Sequence, residues 1–193
     1  MRHIKRNPLP VTGCTLLLVL ASCAGNPPGD TLLFAPDETR LNRNQQQRVV
    51  DAFASMFPLS ADGTRFTDSN CGDVDPEATP VDLNDDGVFE VFIQWGNTCT
   101  SGFTGRSLSL FVRDESGNYR PQLGFPALGW WVSPIGEPKW PDLRFGGPGF
   151  CRPVWTWRDN LYQFKCSIPE EAGGCAGYGR LCEDQDLNID ATK

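Results

Sequence analysis

The chain predicts a mainly β fold: an antiparallel sheet sandwich or small barrel with one N-terminal helix, cross-linked by disulfides. Three observations carry this. From Ala78 onward, apolar residues alternate with polar ones, as in Phe89, Val91, Ile93 and Trp95, between clusters of Gly, Pro, Asp and Asn, which is the pattern of short strands and turns. Only between Asn42 and Phe57 do apolar residues (Val49, Val50, Phe53, Met56, Phe57) fall at helical spacing. Six of the eight cysteines, Cys71, Cys99, Cys151, Cys166, Cys175 and Cys182, lie in the body of the chain, and an even number in an exported domain reads as disulfides.

Export is read from the N-terminus. Met1 to Arg6 is basic, and Val11 to Ala21 is mostly apolar around Leu16-Leu17-Leu18-Val19-Leu20. Such a run is shorter than the about 20 residues that span a bilayer and has the form of a secretory signal peptide. Leu20-Ala21-Ser22-Cys23 resembles the lipobox of bacterial lipoproteins. The resemblance implies a diacylglyceryl group on the Cys23 thiol and cleavage before it. Residues 1–22 are then the signal peptide and 23–38 a lipidated, Pro-rich tether, with one domain over 39–182 and an acidic tail over 183–193. Lipoprotein modification adds two or three acyl (palmitate-like) chains, and stable anchoring takes more than one. Ala24 after the cysteine points, by the same resemblance, to the outer membrane facing the periplasm.

Removing residues 1–22 leaves 14 basic and 24 acidic side chains, a net charge near −10. That disfavours nucleic acid and anionic lipid surfaces and favours a basic protein partner. The single histidine, His3, leaves with the signal peptide. Ser-His-Asp and Cys-His catalysis and histidine-ligated zinc go with it, so the chain reads as a binding protein and not as an enzyme.

In order, a helix ends at Pro58, a strand covers Val88 to Trp95, and another covers Ser107 to Arg113. A turn at Asp114 to Asn118 leads to Tyr119 to Leu123. Further strands are predicted near Leu128 to Val132 and Leu143 to Phe145. A hairpin joins Val154-Trp155-Thr156-Trp157 to Leu161-Tyr162-Gln163-Phe164. Cys151 and Cys166 flank that hairpin and suit a cross-strand bridge. Cys175 and Cys182 would close a Gly-rich loop, leaving Cys71 with Cys99. A thiolate zinc cluster competes but has no C-x-x-C pair behind it.

The sharpest motif is Asp82-Leu83-Asn84-Asp85-Asp86-Gly87-Val88-Phe89-Glu90. Asp82, Asn84, Asp86 and Glu90 form the oxygen-ligand spacing of a calcium loop, with glycine where the turn is sharp. An EF-hand is excluded: Ile93 stands where the bidentate acid should be, and a strand follows. The loop resembles those of FG-GAP-like β proteins, in which calcium fixes a turn that leads into a strand. Glu90 is expected on the face opposite Phe89 and Val91, directed back at the loop. The competing account is an Asx-rich turn bonded to itself.

Trp130, Trp131, Trp140, Trp155, Trp157, Tyr162 and Phe164 are candidate core or glycan-stacking groups. Adjacent strand residues face opposite ways, so one of Trp130 and Trp131 is expected at the surface. The Gly-rich loops Thr98 to Arg106 and Phe145 to Cys151 sit beside cysteines, where rigid loops serve binding. With the W-x-W-x-x-x-x-Y hairpin, Trp155 to Tyr162, these features resemble bacterial immunity lipoproteins that have a periplasmic lysozyme-inhibitor-like fold. That resemblance implies a membrane-held inhibitor of a basic peptidoglycan hydrolase. The inhibitors' S-G-x-x-Y loop is matched one residue short by Ser116-Gly117-Asn118-Tyr119. Ser116, Tyr119, Trp130 and Trp131 are therefore the candidate partner-binding residues. The alternatives are a carboxylate-dependent glycan-active enzyme, with Asp73, Asp75, Glu170 and Glu171 unassigned, and a structural envelope lipoprotein.

Overall fold

The computed structural model of the chain describes residues 29–136, 139–147, 149, 151–177 and 179–183. The segment expected to be a signal peptide, Cys23, and the tail beyond residue 183 lie outside them. The chain first forms a one-turn helix, α1 (Asp30–Leu33). This segment falls in the stretch assigned to a tether. Leu33 and Phe34 are instead buried against the long helix that follows, because Leu32-Leu33-Phe34 is too apolar to stay in water. In that helix, α2 (Arg43–Ala54), Asn42 accepts from the Gln45 N–H while the Gln45 side chain accepts from the Asn42 N–H. This capping box satisfies donors that the first turn would otherwise leave bare. Val49, Val50 and Phe53 form the buried face of α2.

Ten strands follow. β1 (Phe66–Asp68) and β2 (Gly72–Val74) make a two-stranded ribbon. β3 (Glu77–Val81), β4 (Glu90–Trp95), β5 (Ser107–Arg113) and β6 (Tyr119–Pro126) form an antiparallel central sheet in that order. Between β4 and β5 lie a short helix, α3 (Thr98–Ser101), and a 3-10 turn, Gly102–Thr104. β7 (Gly129–Gly136), β8 (Pro141–Gly146), β9 (Cys151–Arg158) and β10 (Leu161–Pro169) form the second sheet, in the order β10-β9-β8-β7. The β9–β10 turn is Asp159-Asn160, both at positive φ (51° and 62°), which matches the right-handed twist of a hairpin. The mainly β, disulfide-bonded fold expected from the sequence is the fold observed, as a sandwich with one long helix.

The central sheet is buried on both faces. Val91, Ile93 and Phe111 pack with α2, α1 and the β1–β2 ribbon. Phe92, Leu108, Leu110 and Val112 pack with Leu143, Phe145 and Tyr162 of the second sheet. Double burial explains the near-continuous apolar run in β4, which one-sided packing would have alternated. β3 is an edge strand. Pro80 lacks a ladder donor there, and the Arg40 guanidinium donates to the Pro80 carbonyl at 2.6 Å, so the edge is blunted. In the second sheet Asp142, 0% exposed, accepts from Lys165 Nζ at 2.7 Å. The pairing offsets the cost of burying that carboxylate.

All six body cysteines are in disulfides: Cys71–Cys99, Cys151–Cys175 and Cys166–Cys182. The first pair is the one expected. The hairpin bridge is not formed: the two-residue turn pairs Arg158 with Leu161, which already offsets the two cysteines, and a bulge between Phe164 and Cys166 adds to the offset, leaving Cys151 opposite Pro169 and Cys166 opposite Val154. Nor do Cys175 and Cys182 join each other. Both fasten the C-terminal segment to the second sheet, where Ser167 bonds the Arg180 carbonyl and the Cys182 N–H and bridges Leu181 in parallel. Loops of 28, 24 and 16 residues are closed, each worth about 3 kcal/mol through the unfolded chain.

Phe53 touches Phe57, Phe66 and Phe111 and is 0% exposed. Phe53→Ala is expected to lower the unfolding free energy by about 3–5 kcal/mol, as read from urea titration with the disulfides intact.

Candidate functional site

The Asp-rich loop joins β3 to β4 and is wound around its own backbone. Asp82 accepts from the Asp86 N–H at 3.1 Å and the Gly87 N–H at 2.8 Å. Asn84 Oδ1 accepts from the Asp86 N–H at 3.2 Å, and Asp86 Oδ1 accepts from the Val88 N–H at 2.7 Å. Asn84 Nδ2 donates to Asp86 Oδ2 at 2.9 Å. Asp85 and Gly87 have φ of 55° and 80°, a left-handed bend that brings residues 82, 84 and 86 to one side. These are the Asx-turn bonds of a loop that closes by itself. They also gather an all-oxygen donor set, which is what a hard cation takes. Among the described residues, no three acidic, histidine or cysteine side chains converge closely enough to hold a metal ion.

Glu90 stands apart from the other three. It is 2% exposed, on the β4 face that looks toward the second sheet, and Oε2 accepts from the Leu83 N–H at 3.0 Å. The side chain thus points back to the loop. Burial pushes its pKa up to about 7; the Leu83 hydrogen bond opposes this, and the charges of Asp86 and Asp82 add to it. Tyr162, beneath the same region, donates to the Pro141 carbonyl at 3.0 Å. Burial raises its pKa, with Glu90 and Asp142 adding to the rise. The loop carboxylates and Glu90 therefore belong to one electrostatic group at the seam of the sandwich.

The four candidate partner-binding residues separate. Ser116 is exposed at the β5–β6 turn, where Arg48 Nη1 donates to its carbonyl at 3.3 Å. Tyr119, 3% exposed, donates to the Phe89 carbonyl at 3.1 Å and is a core residue of the helix-side layer, not a surface group. The missing residue between Ser116 and Tyr119 draws the tyrosine into β6, where alternation turns it inward. Trp130 is half-buried and packs against the seam core, stacked on Phe92 at 3.9 Å and 15°. Trp131, on the opposite face of β7, is 45% exposed, with the Arg152 guanidinium 5.2 Å from its ring centroid. One indole of the pair is therefore at the surface, as alternation requires.

The remaining aromatics mostly line the seam. Trp155 stacks on Phe125 at 5.6 Å, and Trp140 on Trp157 at 4.0 Å. The Trp140–Trp157 pair walls an open cleft of about 470 Å³ with Arg113, Asp114, Arg120 and Gln122. Asp73 and Asp75 lie in and after β2, whereas Glu170 pairs with Arg152 at the end of β10. These acids therefore belong to different parts of the fold, the end of the ribbon and the end of the second sheet.

A further surface combines the β1–β2 ribbon with the loop between β4 and β5. Asp73, Asp75 and Glu77 leave 60%, 94% and 76% of their side chains exposed. Arg65 contacts Asp73, and Arg106 lies 3.8 Å and 3.9 Å from Asp75 and Glu77, pairings too solvated to be worth much. On the same β4–β5 loop, three residues before Arg106, Phe103 is fully exposed. The sequence marks this loop only as Gly-rich and next to a cysteine. The available signal was Gly102-Phe103-Thr104-Gly105, an aromatic without an alternating partner.

Comparison with models of known families, with curated proteins and with solved structures returns no match.

Glu90 is held protonated by its surroundings up to about pH 7, against an ordinary carboxyl value near 4.5. The stability that neutral Glu90 contributes is complete below about pH 4.5 and is lost as pH rises to about 7. In chelator, the wild-type chain is expected to lose up to about 3 kcal/mol over that interval. Glu90→Gln should flatten this part of the profile, and urea unfolding across the range checks it.

Proposed function

We propose that the protein is an envelope lipoprotein, anchored through lipid on Cys23. Its β domain acts as a binding module, an inhibitor or immunity protein, for a basic lysozyme-like peptidoglycan hydrolase. The observation that supports this most is the row of exposed carboxylates at Asp73, Asp75 and Glu77, which runs from β2 of the ribbon, covalently pinned by Cys71–Cys99, to the start of the edge strand β3. Together with a net charge near −10 on the processed chain, such a row steers a cationic protein toward one edge of the molecule. A pre-formed, cross-linked edge also loses little conformational freedom on binding.

Calcium is part of the proposal, as a structural ion. Asp82, Asn84 and Asp86 would hold it from the turn and Glu90 from β4, all drawing closer than they stand without the ion, and it would supply positive charge to a cluster that otherwise repels itself. The buried, uphill-titrating Glu90 supports this, since a bound cation would offset the cost of ionising it. The chain's own residues would hold the β3–β4 turn in place.

Added to peptidoglycan digests with basic lysozymes, the purified domain is expected to slow hydrolysis in a dose-dependent way, less at high salt. Undiminished hydrolysis at every ratio, with no binding, would reject the inhibitor reading. Millimolar calcium is expected to raise the melting temperature of the wild-type domain, and Asp82→Asn with Asp86→Asn should abolish the rise. An unchanged wild-type melting temperature would reject the calcium site and leave the partner reading standing.

A further inference from the structure

We propose that the loop from Gly96 to Arg106 is the docking element: Phe103 is an apolar anchor that enters a ring-sized pocket on a basic protein, and Asp73, Asp75 and Glu77 meet that pocket's cationic rim. The inference rests on the binding-module reading and gives it a contact residue.

The side chain is the first observation. Phe103 has a relative exposure of 106%, against 37–55% for the other exposed large hydrophobics among the described residues. Its ring touches neither core cluster. A phenyl ring held wholly in water is unfavourable where the neighbouring core could have taken it.

The second observation is that the loop is braced and does not present the ring by slackness. Cys99 is bonded to Cys71 of the ribbon. Asn97 Oδ1 accepts from the Cys99 and Thr100 N–H groups at 2.8 and 3.1 Å, and Thr100 Oγ1 accepts from the Asn97 N–H at 2.8 Å. The other end of the Asn97 amide donates to the Asp73 carbonyl at 3.1 Å and the Cys71 carbonyl at 3.4 Å. Ser101 and Ser107 hydroxyls meet at 2.9 Å beneath the turn. Gly102, with φ 58° and ψ −141°, takes a conformation that a side chain would oppose. It turns the chain outward just before Phe103, and Gly105 turns it back, its N–H bonded to the Gly102 carbonyl at 3.0 Å. An aromatic presented on a rigid loop is the form of an interface hot spot, because little ordering remains to be done on binding.

The third observation is charge. The same bonds that brace the loop fix it to the ribbon bearing Asp73 and Asp75, and Arg106 at its base leans toward Asp75 and Glu77. An apolar centre with acidic groups at its edge complements an apolar pocket ringed by lysine and arginine. It does not suit an anionic bilayer or nucleic acid.

The test titrates the full processed chain against basic lysozymes of several folds by calorimetry and surface-binding kinetics. Phe103→Ser is expected to bind about thirtyfold more weakly, mainly through faster dissociation, with an unchanged melting temperature and salt dependence. Phe103→Tyr should keep most of the affinity. The pair Asp75→Lys and Glu77→Lys should slow association and flatten its dependence on salt. Undiminished binding by Phe103→Ser would overturn this proposal and leave the binding-module reading intact. A loss of affinity that tracks a lowered melting temperature would make Phe103 structural and also overturn it. No binding by the unaltered chain to any of these proteins would remove both.

Discussion

Val91, Phe92 and Ile93 are consecutive in β4, and all three are buried, because the central sheet carries helix and ribbon on one face and a second sheet on the other. The remaining architecture follows from this requirement. One face needs α2, with Val49, Val50 and Phe53 in line. It also needs the short α1 turn and the β1–β2 ribbon to complete the cover. The other face needs a second sheet rich in large rings, since Phe145, Trp130 and Trp155 meet Phe92 and Phe125 of the central sheet in the gap between them. A domain of this size has little surplus stability. Three disulfides tie the ribbon to the β4–β5 loop and the C-terminal segment to the second sheet.

The same double burial explains the state of Glu90. β4 alternation places Val91 toward the helix and Glu90 toward the seam, so the carboxylate that answers the Asp-rich loop must do so from inside the protein. Its hydrogen bond to Leu83 N–H and its raised pKa are two results of that one position. The loop outside is satisfied through Asx bonds, while the group beneath it is held near neutrality. The turn and the core are coupled at this point, and a cation at the loop would act on both.

The disulfides also divide the labour of the surface. Cys151–Cys175 and Cys166–Cys182 hold the C-terminal segment along the second sheet, whereas Cys71–Cys99 joins two elements that project from the central sheet. The projecting pair carries the exposed acids and Phe103, on a scaffold that need not rearrange to present them. The second sheet carries Trp131 beneath Arg152, and its other large rings mostly line the seam. Aromatic content by itself therefore does not say which rings reach water in this protein; the backbone that carries each ring does.

Periodicity, turn residues and cysteine count were enough to derive a β sandwich with one helix. β5 was placed residue for residue, because local chemistry governs strands and turns. The helix start was equally readable from Asn42, and the Asp-rich turn from its spacing. What lay beyond reach depended on contacts between distant segments. Cys151 and Cys166 look symmetric about the hairpin until the Asp159-Asn160 turn pairs Arg158 with Leu161, which already sets them out of register, and the bulge after Phe164 adds one residue more. Leu33 and Phe34 look like tether until α2 supplies a surface to cover them. Tyr119 and Trp130 look available until β6 and β7 turn them inward. Phe103 carries no periodic signature, so its exposure is decided only when Cys71, Asn97 and the two glycines fix the loop. Sequence alone determined which residues could form strands, turns and cross-links, since those preferences are local. The tertiary structure decided which cysteines met and which rings stayed in water, since both depend on what packs against them.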